Sequence, residues 1–343
     1  MKPRSLEPKK RANLRDVAKA AGVSVATVSR VLNEPGVVKK DTLEKVQAAI
    51  DALKFVPSAA ARAINSGRTR FVGALVPTLD NAIFARFLAA LERELSEHQL
   101  SLVVATTNSD LEIEAEKAQS LVDIGAEGLI ITGATHSDAL HDLIDRTMLP
   151  TIITSFYDAT NPLPTIGYDN EAVAQLALQH LADLGHRHIA VVHGPVHDND
   201  RTRARLSGLQ DLPWDGQLTC YETQISHRGG AESAKLICGQ AQKPDAILCL
   251  SDVVALGVLF GLQAEDVRVP DDISLVGVDD LPSSAVAVPA ITTVHLPVSQ
   301  MGEKAAVALA RWISDQERPS AERLDGQLIE RRSAIPNPSR LTS

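Results

Sequence analysis

The feature that most constrains the fold lies in residues 13–33, where two short helical patterns are separated by a single glycine. Asn13 and Asp16 have the spacing of a capping box, which predicts the start of a first helix. Gly22 can adopt the left-handed backbone that ends this helix, and the hydroxyl of Ser24 can cap the next one. The stretch therefore predicts a helix-turn-helix.

The second helix of this motif has an inner and an outer face. Val28, Val31 and Leu32 recur at the spacing of one helix face, so we expect them to pack on the first helix. In such motifs the N-terminal part of the second helix enters the major groove of DNA, where arginine binds guanine and small apolar groups contact thymine. The alternative is an ordinary pair of packed helices. The predicted DNA contacts in this region are Arg15, Ser24, Val25, Ala26, Thr27, Ser29, Arg30 and Asn33.

The same stretch resembles a known family. Residues 18–33 contain Gly-Val-Ser-x-x-Thr-Val-Ser-Arg-Val-Leu-Asn, which is similar to the opening of lactose-repressor-family transcription regulators. A third helix is predicted over residues 40–53, and residues 53–58 resemble the family's Leu-x-Tyr-x-Pro-Asn. These elements imply a three-helix DNA-binding headpiece over residues 13–57. The apolar face of the third helix is predicted to contain Leu43, Val46, Ile50 and Leu53.

Charge is distributed unevenly along the chain. The formal net charge is −9, yet residues 1–70 hold 15 Lys and Arg against 6 Asp and Glu, and the remaining residues hold 19 basic and 37 acidic side chains. A basic head on an acidic body is compatible with DNA binding, because the local potential and counterion release at the docking surface govern affinity. Residues 1–12 form a basic arm, for which we expect disorder or contact with phosphates.

Residues 58–70 form an alanine-rich connection between head and body that is too short for a stable isolated helix. In the resembled family, this hinge folds when two copies lie together in the minor groove and a leucine from each wedges between base steps. The resemblance puts Ile64 at that leucine position and implies groove contacts from Ala61 and Arg62. Because a β-branched wedge is stiffer, the degree of DNA kinking is open. The alternative is a passive linker.

From residue 71 onward, short apolar runs alternate with helix-length segments. This alternation predicts an α/β fold with parallel sheets covered by helices on both faces. The predicted strands are residues 71–77, 100–105, 128–132, 151–154, 188–192, 246–250 and 273–278.

The body, residues 71–335, is long enough for two cores, because single cores stop growing at roughly 250–300 residues. The family resemblance implies two doubly wound lobes of periplasmic-binding-protein type. The tail lacks a leucine heptad, so we expect no coiled-coil tetramerisation segment. The implied division is residues 71–168 plus 298–327 for the first lobe, 169–297 plus 328–335 for the second, and 336–343 for the tail.

A ligand of such a body is expected between the lobes, where loops at the carboxyl ends of the strands face each other. In family terms, Arg205 holds ligand hydroxyls or carbonyls, and Asp252 and Asp279 accept hydrogen bonds from them. An Asp after a strand can instead cap the next helix. The predicted ligand residues are Asp80, Asn81, Ile83, Phe84, Asp169, Arg201, Arg205, Ser251, Asp252 and Asp279.

The chemistry of these side chains favours a polyol, because carboxylates and arginine can bind neighbouring hydroxyls. A sugar is therefore the first expectation. The second arginine, Arg201, can pair a carboxylate, and the loops resemble gluconate-type members, which favours a sugar acid; a purine or another small metabolite is also open. The helix near Arg201 is expected to be short because the pattern breaks at residues 209–214, which leaves the place of Trp214 and Ile225 open.

Enzymatic motifs are missing from the sequence. It contains no Gly-x-Gly-x-x-Gly after a strand, no phosphate loop, no His-Glu-x-x-His and no Gly-x-Ser-x-Gly. His186 and His188 invite a metal site, but they lie at a predicted turn without a third ligand. The three cysteines have no paired spacing, and no signal peptide or membrane-length apolar run is present. We therefore expect a cytoplasmic protein that is not an enzyme and holds no metal or cofactor.

Together these features predict a homodimeric transcription regulator, a repressor at the bacterial nucleoid, because two heads on a two-fold axis match a palindromic operator. A small metabolite would control operator affinity through linkage. The alternatives are a non-exported sugar-binding protein or a sugar-processing enzyme with a fused DNA-binding head. The sequence leaves open the operator, the effector, and whether that effector releases or strengthens DNA binding.

Overall fold

The structure is a computed structural model that describes residues 12–33, 35–56 and 67–337. The chain separates into two compact units, residues 1–69 and 70–343. Several predictions fall outside the described residues. These are the basic arm apart from residue 12, the hinge residues Ala61, Arg62 and Ile64, and the tail after residue 337.

The N-terminal unit begins as the local signals predict. The Asn13 side chain accepts a hydrogen bond from the Asp16 amide at 3.2 Å, and the Asp16 carboxylate accepts one from the Asn13 amide at 2.9 Å. Gly22 has a φ of 66° at the end of the first helix, and the Ser24 hydroxyl accepts from the Thr27 amide at 3.1 Å. The predicted helix-turn-helix is confirmed. The elements are α1 (Leu14–Ala21), α2 (Val25–Asn33), a 3₁₀ turn (Pro35–Val37) and α3 (Lys40–Leu53).

The core of this unit is formed by the inner faces of the three helices. Val28 and Val46 are fully buried, which confirms the predicted faces of α2 and α3. The prediction for Leu53 is wrong, because its side chain is 37% exposed. It is the last residue of α3, and the left-handed turn at Lys54 that follows it brings Phe55 into the core instead.

The described residues after Arg70 contain two six-stranded sheets. The order β11-β5-β4-β3-β1-β2 is parallel throughout, and in the order β12-β10-β9-β8-β6-β7 only β12 runs antiparallel to its neighbour. The strands are β1 (Phe71–Val76), β2 (Ser101–Thr106), β3 (Leu129–Thr132), β4 (Thr151–Thr154), β5 (Thr165–Tyr168), β6 (His188–His193), β7 (Gln217–Glu222), β8 (Ala246–Cys249), β9 (Ser274–Asp279), β10 (Thr292–His295), β11 (Glu322–Leu324) and β12 (Gln327–Ile329).

Helices cover these sheets, as the sequence pattern predicts. Among the described residues, none of the helices is long and apolar enough to cross a membrane. The helices are α4 (Ala82–Glu97), α5 (Leu111–Asp123), α6 (Asp138–Thr147), α7 (Asn170–Asp183), α8 (Asp200–Asp211), α9 (His227–Cys238), α10 (Asp252–Ala264), α11 (Pro282–Val286) and α12 (Val298–Asp315).

The two sheets define two lobes within the second unit. The sheet that contains β1 forms the first lobe together with α4, α5, α6 and α12, and the other sheet forms the second lobe with α7 to α11. The chain returns to the first lobe through α12, which packs closely on α4: a Cβ at Gly302 would lie 2.7 Å from the Phe87 carbonyl oxygen. The predicted first lobe includes Gln327, but this residue begins β12 in the second sheet.

All the predicted strands are present, with bounds that differ by at most one residue. The strands that the sequence pattern missed are β5, β7, β10, β11 and β12. β7 is a partly exposed edge strand, and β11 and β12 have three residues each. Such strands lack a continuous apolar run because only strands buried on both faces require one.

Candidate functional site

The outer face of α2 presents small groups and one cation to solvent. Val25 is 41% exposed, Ala26 and Arg30 are exposed, and Thr27 and Ser29 are half-buried. The Ser24 and Thr27 hydroxyls lie 2.8 Å apart and secure the start of the helix. Arg15 is exposed on α1, and the side chain of Asn33 lies outside the described part of the chain. A surface with one guanidinium, hydroxyls and small apolar groups has the donors that read bases in the major groove.

A cleft with a cavity of about 280 Å³ lies between the two lobes of the second unit. Its walls are the loops that follow β1, β4, β6, β8 and β9, as expected for ligand sites of open parallel sheets. The predicted residues that line it are Asp80, Asn81, Ile83, Phe84, Arg201, Arg205, Ser251 and Asp279.

Two predicted ligand residues, Asp169 and Asp252, do not line this cleft in the structure. Asp169 caps α7 by accepting from the Ala172 amide at 3.1 Å, and it lies 3.3 Å from the Arg323 guanidinium. It lines a different groove, between α7 and the connection from β11 to β12. The helix cap and the ion pair together hold its carboxylate away from the lobe interface.

Asp252 is fully buried beneath the cleft wall. Its carboxylate accepts hydrogen bonds from the Leu281 amide at 2.9 Å and from the hydroxyls of Ser284 and Thr293 at 2.7 Å each. It therefore neither faces the ligand cleft nor caps its own helix. It ties α10 to α11 and β10.

Asp279 reaches the cleft from the end of β9, with a φ of 125° that turns the chain sharply. Its carboxylate accepts from the Ser251 hydroxyl at 2.9 Å and from the Asp252 amide at 3.3 Å. Burial raises the pKa of Asp279 to about 6, and the Arg205 guanidinium opposes this rise. Burial, followed by the charge of Asp279, raises the pKa of Asp252 to about 7. The two carboxyl groups therefore titrate as a pair, and near neutral pH they together carry less than two full negative charges.

Arg205 is 8% exposed, and neutral oxygen atoms hold its guanidinium in the cleft wall. Its Nε donates to Asn170 Oδ1 at 3.0 Å, and its Nη1 donates to the Leu250 carbonyl at 2.6 Å. Asn170 also donates through Nδ2 to the Ser155 carbonyl in the first lobe, at 3.1 Å. These acceptors carry no charge, so they orient the guanidinium, and the opposite charge that acts on it is that of Asp279. Asn170 follows Asp169 at the crossover and is not among the predicted ligand residues.

Arg201 also lines the cleft, but its cation is paired within the protein. Its Nη1 lies 2.9 Å from Asp200 Oδ1, and both side chains are largely buried. The prediction that Arg201 can pair a ligand carboxylate therefore meets a competing carboxylate that is already in place. Asp200 is not among the predicted ligand residues.

The remaining walls of the cleft are partly apolar. Ile225 lines the cleft, whereas Trp214 packs in the main core, and α8 ends at Asp211 as the break in the pattern predicts. Burial raises the pKa of the Tyr168 phenol. The lining residues outside the predicted ligand set are Pro77, Thr78, Phe87, Ser109, Ser155, Tyr168, Gly194, Asn199, Thr202, Leu250, Val253, Val298 and Met301.

Within the described ranges, no group of three or more His, Cys, Asp and Glu side chains is arranged to hold a metal ion. His186 is buried, and its Nε2 lies 3.0 Å from the Ile335 carbonyl oxygen. This contact ties the C-terminal segment to the end of α7.

Comparison with known proteins relates both units to the same group of proteins. Residues 13–58 match the model for bacterial regulatory proteins of the lacI family, and residues 178–334 match a periplasmic binding protein-like domain. The HTH-type transcriptional repressor PurR of Escherichia coli O1:K1 / APEC is 29% identical over 337 residues, which cover 96% of this chain and 98% of that protein.

Solved structures agree with the sequence comparison. A Lac repressor dimer bound to operator and the anti-inducer ONPF matches with a TM-score of 0.86 and 26% identity, covering 95% of this chain and 100% of that chain. A complex of the transcriptional regulator CelR with cellobiose matches with a TM-score of 0.68 and 27% identity, covering 94% of this chain and 100% of that one.

Proposed function

Because the chain belongs to the LacI family and is a DNA-binding transcriptional regulator rather than an enzyme, we propose that it is a repressor controlled by a small metabolite. The observation that carries this proposal is the coexistence of a helix-turn-helix with a polar cleft between two lobes in one chain. The proposed division is a DNA-binding head over residues 13–57, a hinge over 58–70 and a two-lobed body over 71–335. The regulator acts as a homodimer on a palindromic operator at the nucleoid.

The proposed DNA contacts are on and beside the outer face of α2. Arg30 is exposed there and has the bidentate geometry that suits guanine. Val25 and Ala26 suit thymine methyl groups, and the other polar residues suit phosphates or base edges. The proposed set is Arg15, Ser24, Val25, Ala26, Thr27, Ser29, Arg30 and Asn33, with Ala61, Arg62 and Ile64 from the hinge.

The proposed effector is a sugar or a sugar acid of the gluconate type. A cavity of about 280 Å³ suits a small molecule. Arg205 can donate to ligand oxygens from one side, and Asp279 and Ser251 can bind hydroxyls from another. Phe84 and Ile83 supply apolar surface for the ligand ring, and Asp80 and Asn81 supply polar groups near the end of β1. CelR, a relative with the same fold, binds cellobiose.

A sugar acid would be recognised chiefly at Arg205. Arg201 is paired with Asp200, whereas the acceptors around Arg205 are the neutral Asn170 side chain and the Leu250 carbonyl. A ligand carboxylate would therefore gain more from Arg205, because no carboxylate has to be displaced from it.

Selection of genomic DNA fragments by the purified protein tests the proposal. The selection is run with and without a pool of sugars and sugar acids. We expect a palindrome to be enriched, and the pool to abolish or strengthen the enrichment, because ligand and DNA must affect each other reciprocally. Failure to enrich any sequence under either condition would contradict the assignment as a sequence-specific regulator.

Two variants separate the modules. Arg30→Ala should lose operator selectivity and keep ligand binding, and Arg205→Ala should keep operator binding and lose the response to the pool. Arg93→Ala, an exposed arginine on α4 that pairs with Glu303, is the matched control. Loss of both activities in either variant would refute the two-module mechanism.

A further inference from the structure

A carboxylate of the second lobe is hydrogen-bonded to the backbone of the first lobe. Asp200, the first residue of α8, accepts from the amides of Ala134 and Thr135 at 2.5 and 2.9 Å. These amides belong to the loop after β3, in the first lobe. A neighbouring contact joins the same elements, since Arg203 Nη2 donates to the Thr135 hydroxyl at 3.1 Å. Both amides bind Oδ2 of Asp200, which leaves Oδ1 for another partner.

That partner is an arginine of the ligand cleft. Asp200 Oδ1 accepts from Arg201 Nη1 at 2.9 Å and from the Arg201 amide at 2.8 Å. Arg201 lines the cleft, and its side chain is 12% exposed. One carboxylate therefore holds the first lobe with one oxygen and a cleft guanidinium with the other.

The loop of the first lobe is shaped to receive this carboxylate. Gly133 has a φ of 91°, and a Cβ there would lie 2.5 Å from Arg201 Nη1 and 2.7 Å from Asp200 Oδ2. His136 fixes the loop from the other side, because its ring nitrogens lie 2.9 Å from Glu114 Oε2 and 2.9 Å from the Gly133 carbonyl. The amides of Ala134 and Thr135 are thus presented by a loop that is anchored in its own lobe.

The carboxylate is charged in this position. Burial disfavours the charge, but the Arg201 guanidinium and the amides of Ala134, Thr135 and Arg201 together lower the pKa of Asp200 below its ordinary value. Hydrogen bonds from amides to a charged carboxylate are about twice as strong as bonds between neutral groups.

We propose that Asp200 is a positioning residue that couples the contact between the lobes to the orientation of Arg201 in the cleft. Any ligand that moves the Arg201 guanidinium changes the partner of Oδ1 and thereby the hydrogen bonds that Oδ2 makes to the first lobe. This coupling concerns contacts within the protein, and it can be tested without identifying the effector.

Amide hydrogen exchange in the full-length protein tests the contact between the lobes, with fragmentation that resolves the Ala134 and Thr135 amides. In Asp200→Asn the charge is lost, and we expect both amides to exchange about tenfold faster or more, because they lose charge-assisted hydrogen bonds. Asp211→Asn, at the opposite and exposed end of the same helix, is the matched control and should leave both amides unchanged. The amides of β8 report whether the second lobe remains folded.

Arg201→Gln tests the coupling itself. Arg201 donates to Asp200 and not to either amide, so a purely structural view predicts no effect on their exchange. Coupling through Asp200 predicts faster exchange at Ala134 and Thr135, and no further effect of Arg201→Gln when Asp200 is already Asn. Equal effects of Arg201→Gln in both backgrounds, or no effect at all, would overturn the coupling.

Unchanged exchange in Asp200→Asn, with β8 still protected, would overturn the proposed contact between the lobes. If Asp200→Asn also exposes β8, the measurement is repeated with Asp200→Ser, which keeps a polar side chain in the first turn of α8 but is too short to bind both amides. Faster exchange at Ala134 and Thr135 with β8 protected supports the proposal, and unchanged exchange in this second variant overturns it.

Discussion

Replacing Asp252 by Asn should change how the stability of the two-lobed body depends on pH. Asp252 is fully buried, and burial together with the charge of Asp279 raises its pKa from 3.8 to about 7. The folded protein therefore keeps a proton that the unfolded chain releases at lower pH. The hydroxyls of Ser284 and Thr293 can accommodate this protonated acid, because each can either donate or accept.

The sign follows from proton linkage. Where the folded state binds more protons than the unfolded state, stability falls as the pH rises. The contribution of Asp252 is fully present below the unfolded pKa of 3.8 and is lost as the pH rises through about 7. For these two values the loss between about pH 5 and about pH 7.5 is roughly 2 to 3 kcal/mol, and it belongs to the Asp252 and Asp279 pair, because the two carboxyl groups titrate together. Asparagine cannot titrate, so Asp252→Asn should lack this loss.

Other groups also titrate in this range, so the informative quantity is the difference between the wild type and the variant. Burial lowers the pKa of His180, which makes stability rise with pH and opposes the effect of Asp252. Both tryptophans of the chain, Trp214 and Trp312, belong to the second unit, so urea unfolding followed by tryptophan fluorescence reports on the body. Asp211→Asn is the exposed control.

If wild type and Asp252→Asn differ in unfolding free energy by the same amount at about pH 5 and about pH 7.5, the linkage to Asp252 is refuted. The same result would indicate that Asp252 is ionised throughout, stabilised by its hydrogen-bond donors. We expect the stability of the variant to rise relative to that of the wild type as the pH increases.

Three further predictions concern the head and the cleft. Val28→Ala should destabilise the head by about 2 kcal/mol, because it empties a fully buried position, and amide exchange in α1 would measure this. Arg30→Ala should reduce the discrimination between the correct and a wrong base pair at one operator position by about 1–3 kcal/mol, whereas the weaker, non-specific binding to DNA should persist. Competition binding with mutated operators would measure both effects. Asn170→Ala should weaken the affinity for the compound identified from the pool by about tenfold, because Arg205 loses an orienting acceptor, and calorimetric titration would measure it.

The helices of the head could be predicted from the sequence because their signals are local. The Asn13 cap, the Gly22 turn and the apolar spacing of α2 each involve residues within one or two turns. The prediction failed at Leu53, where the direction of the chain after the helix decides which side chain enters the core. That direction depends on the backbone of Lys54, which no apolar period encodes.

The cleft could be predicted only in part, because its residues converge from distant loops. Ser251 and Asp279, which lie at or near the carboxyl ends of β8 and β9, were predicted from the family resemblance together with the general rule for parallel sheets. Asp252 follows a strand in the same way, yet its carboxylate is captured by donors 29 to 41 residues further along the chain. Ser155 and Tyr168 come from a crossover whose geometry depends on how the lobes meet.

The two cleft arginines show why the partners of a charge matter as much as its position. In the sequence, Arg201 and Arg205 lie one helical turn apart, and the expectation is that Arg205 holds ligand hydroxyls or carbonyls and that Arg201 pairs a ligand carboxylate. In the structure, Asp200 forms a hydrogen-bonded ion pair with Arg201, whereas Arg205 is hydrogen-bonded to the neutral Asn170 side chain and interacts with the charge of Asp279. Within one turn of helix, Arg205 is therefore available for a ligand, whereas Arg201 pairs with the carboxylate that also binds the opposite lobe. This division depends on the loop after β3, which lies more than sixty residues away in sequence.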